Sequence, residues 1–136
     1  MESNVLTNQR TKRRILVVDD EPDITYTIKN ILEDNGFAAD TFNDPILALN
    51  NYKVNFYDLV ILDIKMPKIN GFELYIKIRE QDPKAKICFL TAITTFNEDF
   101  RKTRLVLGKT INEDYFIQKP IKIQALVNKL RSIMNI

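Results

Sequence analysis

The sequence predicts an α/β domain, a doubly wound parallel sheet in which five strands alternate with five helices, (βα)5, and three features predict it. Ile15-Leu16-Val17-Val18, Leu59-Val60-Ile61-Leu62 and Ile87-Cys88-Phe89-Leu90 are short unbroken apolar runs. They have strand length and lack the alternation of a half-exposed strand, so each is buried on both faces. The segments between them place apolar residues at helical spacing, with openings at Pro22 and Pro45 and stops at Asn35-Gly36 and Asp82-Pro83. Two of the runs end in carboxylates, Asp19-Asp20 and Asp63, at the edge where open parallel sheets place their chemistry.

A chain of 136 residues fits one domain with a real core, read here as residues 13–136 behind a flexible tail of residues 1–12. Hydrophobic residues at 45% and charged residues at 28% match ordinary globular usage. A net charge of +2 does not by itself imply nucleic acid. The basic stretch Arg10-Thr11-Lys12-Arg13-Arg14 reads as a solvated run before a strand, so nucleic acid is not expected as a partner. No stretch is long and apolar enough for a signal or a membrane span, so a cytoplasmic location without membrane insertion is expected. The single Cys88 lies within an apolar run and reads as a small buried hydrophobe, with no internal disulfide. Histidine is absent, which excludes His-based catalysis, His metal ligands and a phosphohistidine carrier role for this chain.

Element by element, Ile15–Val18 forms the first strand. Pro22 opens a helix with Ile24, Ile28, Ile31 and Leu32 on its buried side, stopped by Asn35-Gly36. Phe37–Phe42 is a short second strand, and Asp44-Pro45 caps a second helix whose buried side is read as Ile46, Leu47, Leu49 and Val54. The third strand ends at Asp63, before a loop that Pro67 and Gly71 keep irregular, and a helix spans about Phe72–Gln81. Lys86–Thr91 is the fourth strand. A fourth helix carrying Phe100, Leu105 and Val106 to Gly108 follows, and then a fifth strand at Tyr115–Gln118. A last helix presents Ile123, Leu126, Val127, Leu130 and Ile133.

Parallel neighbours need right-handed crossovers, and the flavodoxin-like order 2-1-3-4-5 sets the ends of the first and third strands side by side. Asp19, Asp20 and Asp63 then converge, and their mutual repulsion is relieved by a shared hard dication such as Mg²⁺, which takes oxygen ligands and leaves room for a phosphoryl oxygen. Thr91 and Lys119 end the fourth and fifth strands on the same edge. A hydroxyl, an ammonium and a dication around one carboxylate suit phosphoryl transfer, with Asp63 as nucleophile.

Val17-Val18-Asp19-Asp20-Glu21-Pro22, Leu62-Asp63-Ile64-Lys65-Met66-Pro67 with Asn70-Gly71, Leu90-Thr91-Ala92 and Lys119-Pro120 occur in that order. With them the chain resembles, from about Arg13 to Met134, the receiver domain of two-component response regulators. The resemblance implies that Asp63 is the phosphoacceptor and that Asp20, Asp63 and the backbone carbonyl of Lys65 bind Mg²⁺, or Mn²⁺ as a substitute, with Asp19 acting mostly through water. It implies phosphoryl contacts from Thr91, the Ala92 backbone and Lys119, a cis bond at Lys119-Pro120, and a switch coupling Thr91 to Phe116. It also implies a phosphohistidine donor, a histidine kinase or phosphotransfer protein, as upstream partner. With no output domain after Ile136, a stand-alone receiver acting on a downstream protein is expected unless the chain is a piece of a longer regulator, as monomer or weak dimer, catalysing only its own phosphorylation and dephosphorylation.

Between Thr91 and Lys119 the chain is longer than the family pattern, and Gly108–Tyr115 replaces the usual approach to the fifth strand. An altered fourth helix and following loop are expected there, made basic by Arg101, Lys102, Arg104 and Lys109, and Ile93 flanks the site as a bulky apolar neighbour. Two other functions compete. A phosphatase of the haloacid dehalogenase type needs Asp-x-Asp-x-Thr after its first strand, and Asp19-Asp20-Glu21-Pro22-Asp23 lacks that threonine. A phosphorylation-independent receiver-like binding module is the remaining alternative, and the complete set of acidic, hydroxyl and ammonium residues argues against it.

Overall fold

A computed structural model of the chain describes residues 12–92 and 115–136. Residues 1–11 of the expected tail, the fourth helix, the basic residues 101–109 and Ile93 lie outside the described residues. Strands β1 (Arg14–Val18), β2 (Ala38–Phe42), β3 (Leu59–Asp63), β4 (Ile87–Ala92) and β5 (Phe116–Lys119) form one sheet. Helices α1 (Pro22–Asp34), α2 (Pro45–Asn50), α3 (Gly71–Gln81) and α4 (Ile123–Met134) accompany them. The order is β2-β1-β3-β4-β5 with every pairing parallel, as the sequence predicts.

The two-residue side-chain period of a strand divides the core in two. Ile15, Val17, Leu59, Ile61, Cys88 and Leu90 point to one face, where Ile28, Leu32, Leu126 and Leu130 of α1 and α4 cover them. Leu16, Val18, Val60, Leu62 and Phe89 point to the other, under Ala48 of α2 and Phe72, Leu74 and Ile78 of α3. Cys88 is fully buried and its thiol is inert, burial pushing its pKa far up.

The chain's punctuation is local and matches the sequence reading. Pro22 and Pro45 occupy first-turn positions, Asp44 accepts hydrogen bonds from the Ile46 and Leu47 amides, and α1 ends before Gly36 at φ +87°. Asn70 and Glu73 close a reciprocal capping box at the start of α3.

Two assignments of buried faces are corrected. Ile46, Leu47 and Val54 are exposed, and α2 instead buries Pro45 and Ala48, with Leu49 and Tyr52 packed against the core. Residues 45, 48, 49 and 52 form the true helical stripe, and its smallest members disguise it. Ile123 is likewise 62% exposed, because it lies in the first turn of α4, while Leu126, Val127, Leu130 and Ile133 carry that helix's contact. Among the described residues no helix is long and apolar enough to cross a membrane.

Candidate functional site

Register builds the site. Val18 pairs with Leu62, so one further step sets Asp19 beside Asp63. Asp63 pairs with Leu90, which brings Thr91 alongside, and Ala92 pairs with Lys119. Residues spread over about a hundred positions therefore share one edge of the sheet. The structure brings together Asp19, Asp63 and Lys119 as expected. The Lys119 ammonium lies 2.9 Å from Asp19 Oδ2 and 3.3 Å from Asp63 Oδ1. It also lies 3.5 Å from Glu21 Oε1, a contact to a residue that the sequence reading left without a role.

The electrostatics follow from burial. Asp19 is 0% and Asp63 5% exposed. Desolvation, then the charge of Asp19, push the Asp63 carboxyl up to about 7; Lys119 opposes the shift and Asp20 adds to it. Asp19 is also raised by burial, against hydrogen bonds from the Glu21 amide and Lys119. Burial alone would lower Lys119, but its hydrogen bond to Asp19 and the charges of Asp63 and Asp19 outweigh it, so its pKa rises and the ammonium is fixed.

Asp19 is held on three sides. Its amide donates to the Phe42 carbonyl at 3.1 Å, its carbonyl accepts from Asn43 Nδ2 at 2.8 Å, and its Oδ1 accepts from the Glu21 amide at 2.9 Å. Oδ2, also buried, takes the Lys119 ammonium at 2.9 Å and, among the described residues, no other donor. Oxygens of Asp19, Asp20 and Glu21 all lie within 4.8 Å of one another. A buried, under-satisfied carboxylate oxygen in an all-oxygen acidic cluster fits a hard dication.

Asp63 is held from below by α3. The Gly71 amide donates to the Ile64 carbonyl at 2.8 Å, and a Cβ on Gly71 would collide with the Asp63 carbonyl oxygen and lie 2.9 Å from Ile64 Cα. The sequence marks Gly71 as a turn residue, whereas its role is close backbone approach under the strand end that carries Asp63. Lys65 lies two residues past Asp63 with its side chain exposed. Thr91 is buried and its hydroxyl donates to the Ala92 carbonyl at 3.0 Å. Phe116 is buried, its ring stacked on Phe89 with centroids 5.4 Å apart. The Lys119-Pro120 bond is cis, as the resemblance implies.

Comparison with known proteins agrees with this geometry. The family model described as the response regulator receiver domain matches residues 15–131. The chain belongs to that family. Among solved receivers, chemotaxis protein CheY4 of Vibrio cholerae is 25% identical, with 90% of this chain and 99% of that one covered and a TM-score of 0.77. Response regulator TrrA of Thermotoga maritima, solved in complex with Mg²⁺-BeF, is 34% identical, with 89% and 98% covered and a TM-score of 0.72. Transcriptional regulatory protein RprY of Bacteroides fragilis is 30% identical over 123 residues, 90% of this chain and 50% of that protein. The chain spans about half the length of the curated transcriptional regulators it matches. It is a signalling module of two-component systems.

Proposed function

We propose that this receiver, taken as residues 13–136, accepts a phosphoryl group on Asp63 from a phosphohistidine donor, a histidine kinase or phosphotransfer protein. The observation that carries the reading is the ammonium of Lys119 within 3.3 Å of two buried carboxylates on neighbouring strand ends. Burying like charges together is costly, and a fold that does so has a use for them.

An Asp63 carboxylate oxygen attacks phosphorus, an O–P bond forms, and the donor's P–N bond breaks with its electron pair leaving on nitrogen. Lys119 and the Thr91 hydroxyl, with the Ala92 amide, hold the phosphoryl oxygens as charge redistributes. Asp20, Asp63 and the Lys65 carbonyl would hold Mg²⁺, with Asp19 ordering its water. The dication would neutralise the acidic cluster and the incoming oxygens, a choice that the Mg²⁺-BeF complex of TrrA supports. Mn²⁺ has the same preference for oxygen ligands. Phosphorylation adds about −1.5 to −2 charge, which draws Thr91 inward and alters the packing of Phe116 against Phe89, so that a downstream protein reads the changed face. Hydrolysis of the aspartyl phosphate resets the site.

The decisive experiment is intact mass after incubation with a small phosphodonor and Mg²⁺. Wild type gains one phosphoryl group and Asp63→Asn gains none. A wild type that stays unmodified both with the small donor and with a panel of phosphorylated histidine kinases overturns the proposal.

A further inference from the structure

We infer that Asn43, in the turn between β2 and α2, is a positioning residue for the acidic pocket, setting its cation affinity without touching the cation. The inference rests on the reading of Asp19 and Asp20 as a dication site.

The geometry is specific. The carboxamide of Asn43 donates twice from Nδ2, to the Asp19 carbonyl at 2.8 Å and to Thr25 Oγ1 at 2.9 Å. Thr25, 4% exposed on α1, has one hydroxyl proton and gives it to the Pro22 carbonyl at 3.1 Å. One side chain from a different strand connection thus ties the start of the acidic turn, at Asp19, to its end, at Pro22.

The consequence comes from peptide planarity. The Asp19 carbonyl and the Asp20 amide belong to one rigid plane, so fixing that oxygen fixes the direction in which the chain leaves toward Asp20. The preceding plane is already fixed by the Asp19 amide on the Phe42 carbonyl, and the Asp19 side chain by the Glu21 amide. Among the described residues no other hydrogen bond fixes the plane between Asp19 and Asp20, so without Asn43 it becomes the hinge of the turn. Repulsion among Asp19, Asp20, Glu21 and Asp63 would turn it outward in the absence of cation.

The neighbouring residue adds a tie to the other side of the pocket. Asp44 Oδ2 accepts from Lys68 Nζ at 2.8 Å, in the loop that follows Asp63. That pair is exposed and salt-screened, so it contributes little on its own. Asn43 and Asp44 together connect both loops that supply the pocket, the Asn43 arm being the stronger.

The test is Mg²⁺ titration of the full chain followed by backbone amide shifts of Asp20 and Glu21, on wild type, Asn43→Ala, Thr25→Val and the double variant, with thermal unfolding in parallel. Removing a group that orients a ligand costs roughly tenfold or more in metal affinity. The expected result is about a tenfold weaker Mg²⁺ Kd in Asn43→Ala, a smaller loss in Thr25→Val, less than additive loss in the double variant, and faster hydrogen exchange at Asp20 and Glu21 in metal-free protein. A Kd within twofold of wild type in Asn43→Ala overturns the inference alone. A wild type silent to Mg²⁺ overturns it together with the reading of the site. Should Asn43→Ala fail to fold, Thr25→Val decides, its isosteric side chain keeping the packing and removing only the hydroxyl; an unchanged Kd and unchanged exchange there overturn the inference.

Discussion

At the scale of single residues, Gly36 and Gly71 separate two reasons for having no side chain. Gly36 sits at φ +87°, and a methyl group placed on its Cα would meet nothing within 4 Å, so only backbone strain opposes a side chain there. Gly36→Ala is expected to cost about 1 kcal/mol. Gly71 has ordinary φ, but a methyl would strike the backbone of Asp63 and Ile64, which cannot rotate away. Gly71→Ala is therefore expected to cost more, about 2–4 kcal/mol, and to displace the very strand end that carries Asp63. Urea unfolding of both variants checks the order, and amide shifts at Asp63 and Ile64 check the displacement. Equal costs, or an unmoved Asp63 in Gly71→Ala, would remove the steric role given to this glycine. The sequence alone shows a glycine at a helix boundary in both cases, and nothing in it distinguishes strain from collision.

At the scale of elements, what was legible was what is encoded locally. The apolar runs of β1, β3 and β4 are buried along almost their whole length, and the proline, aspartate and asparagine punctuation around α1, α2 and α3 acts within a few residues of itself. The carboxyl-edge site was legible for the same reason: once the strands are placed, parallel pairing alone carries Asp19, Asp63, Thr91 and Lys119 to one edge. The inner face of α2 was not. A helix of six residues spans less than two turns, too few for periodicity to fix its phase, and Pro45 and Ala48 are small beside the exposed Ile46 and Leu47. Asn43 was illegible for a different reason, since its partners come from other elements and its neighbours Asp44-Pro45 suggest only a helix cap. The corrected face makes a prediction. Leu47→Ser changes stability by less than about 0.5 kcal/mol, whereas Ile28→Ala, fully buried between α1 and the sheet, costs about 2–5 kcal/mol. Chemical denaturation of the two variants compares them directly, and a large loss in Leu47→Ser would restore the face that the sequence first suggested.

For the whole molecule, the acidic pocket sets a conflict between stability and chemistry that pH exposes. Asp63 binds its proton more tightly folded than unfolded, with a folded pKa of about 7 against an ordinary 3.8, and Asp19 is shifted in the same direction. Between about pH 4 and 7 the native state therefore holds more protons than the unfolded chain, and these groups make stability fall as pH rises through that window. Lys119 is raised as well, but its contribution is present throughout this range and is lost only at alkaline pH, so it does not cancel the trend. Asp63→Asn removes the buried charge at nearly constant shape. Without Mg²⁺ at about pH 7.5 the variant is expected to be more stable than wild type by roughly 1–3 kcal/mol. The difference is expected to vanish as pH falls to about 4 and below, where wild-type Asp63 becomes protonated in both states. Mg²⁺ is then expected to narrow the gap at neutral pH, because at the proposed dication site it would bind the native wild type and relieve the same repulsion that the substitution to asparagine removes. Thermal unfolding of both proteins from about pH 3.5 to 8, with and without Mg²⁺, reads all three effects. A wild type as stable as Asp63→Asn at neutral pH in the absence of metal would mean that the Lys119 ammonium alone compensates the carboxylate pair, and that the fold bears no strain for a cation to relieve.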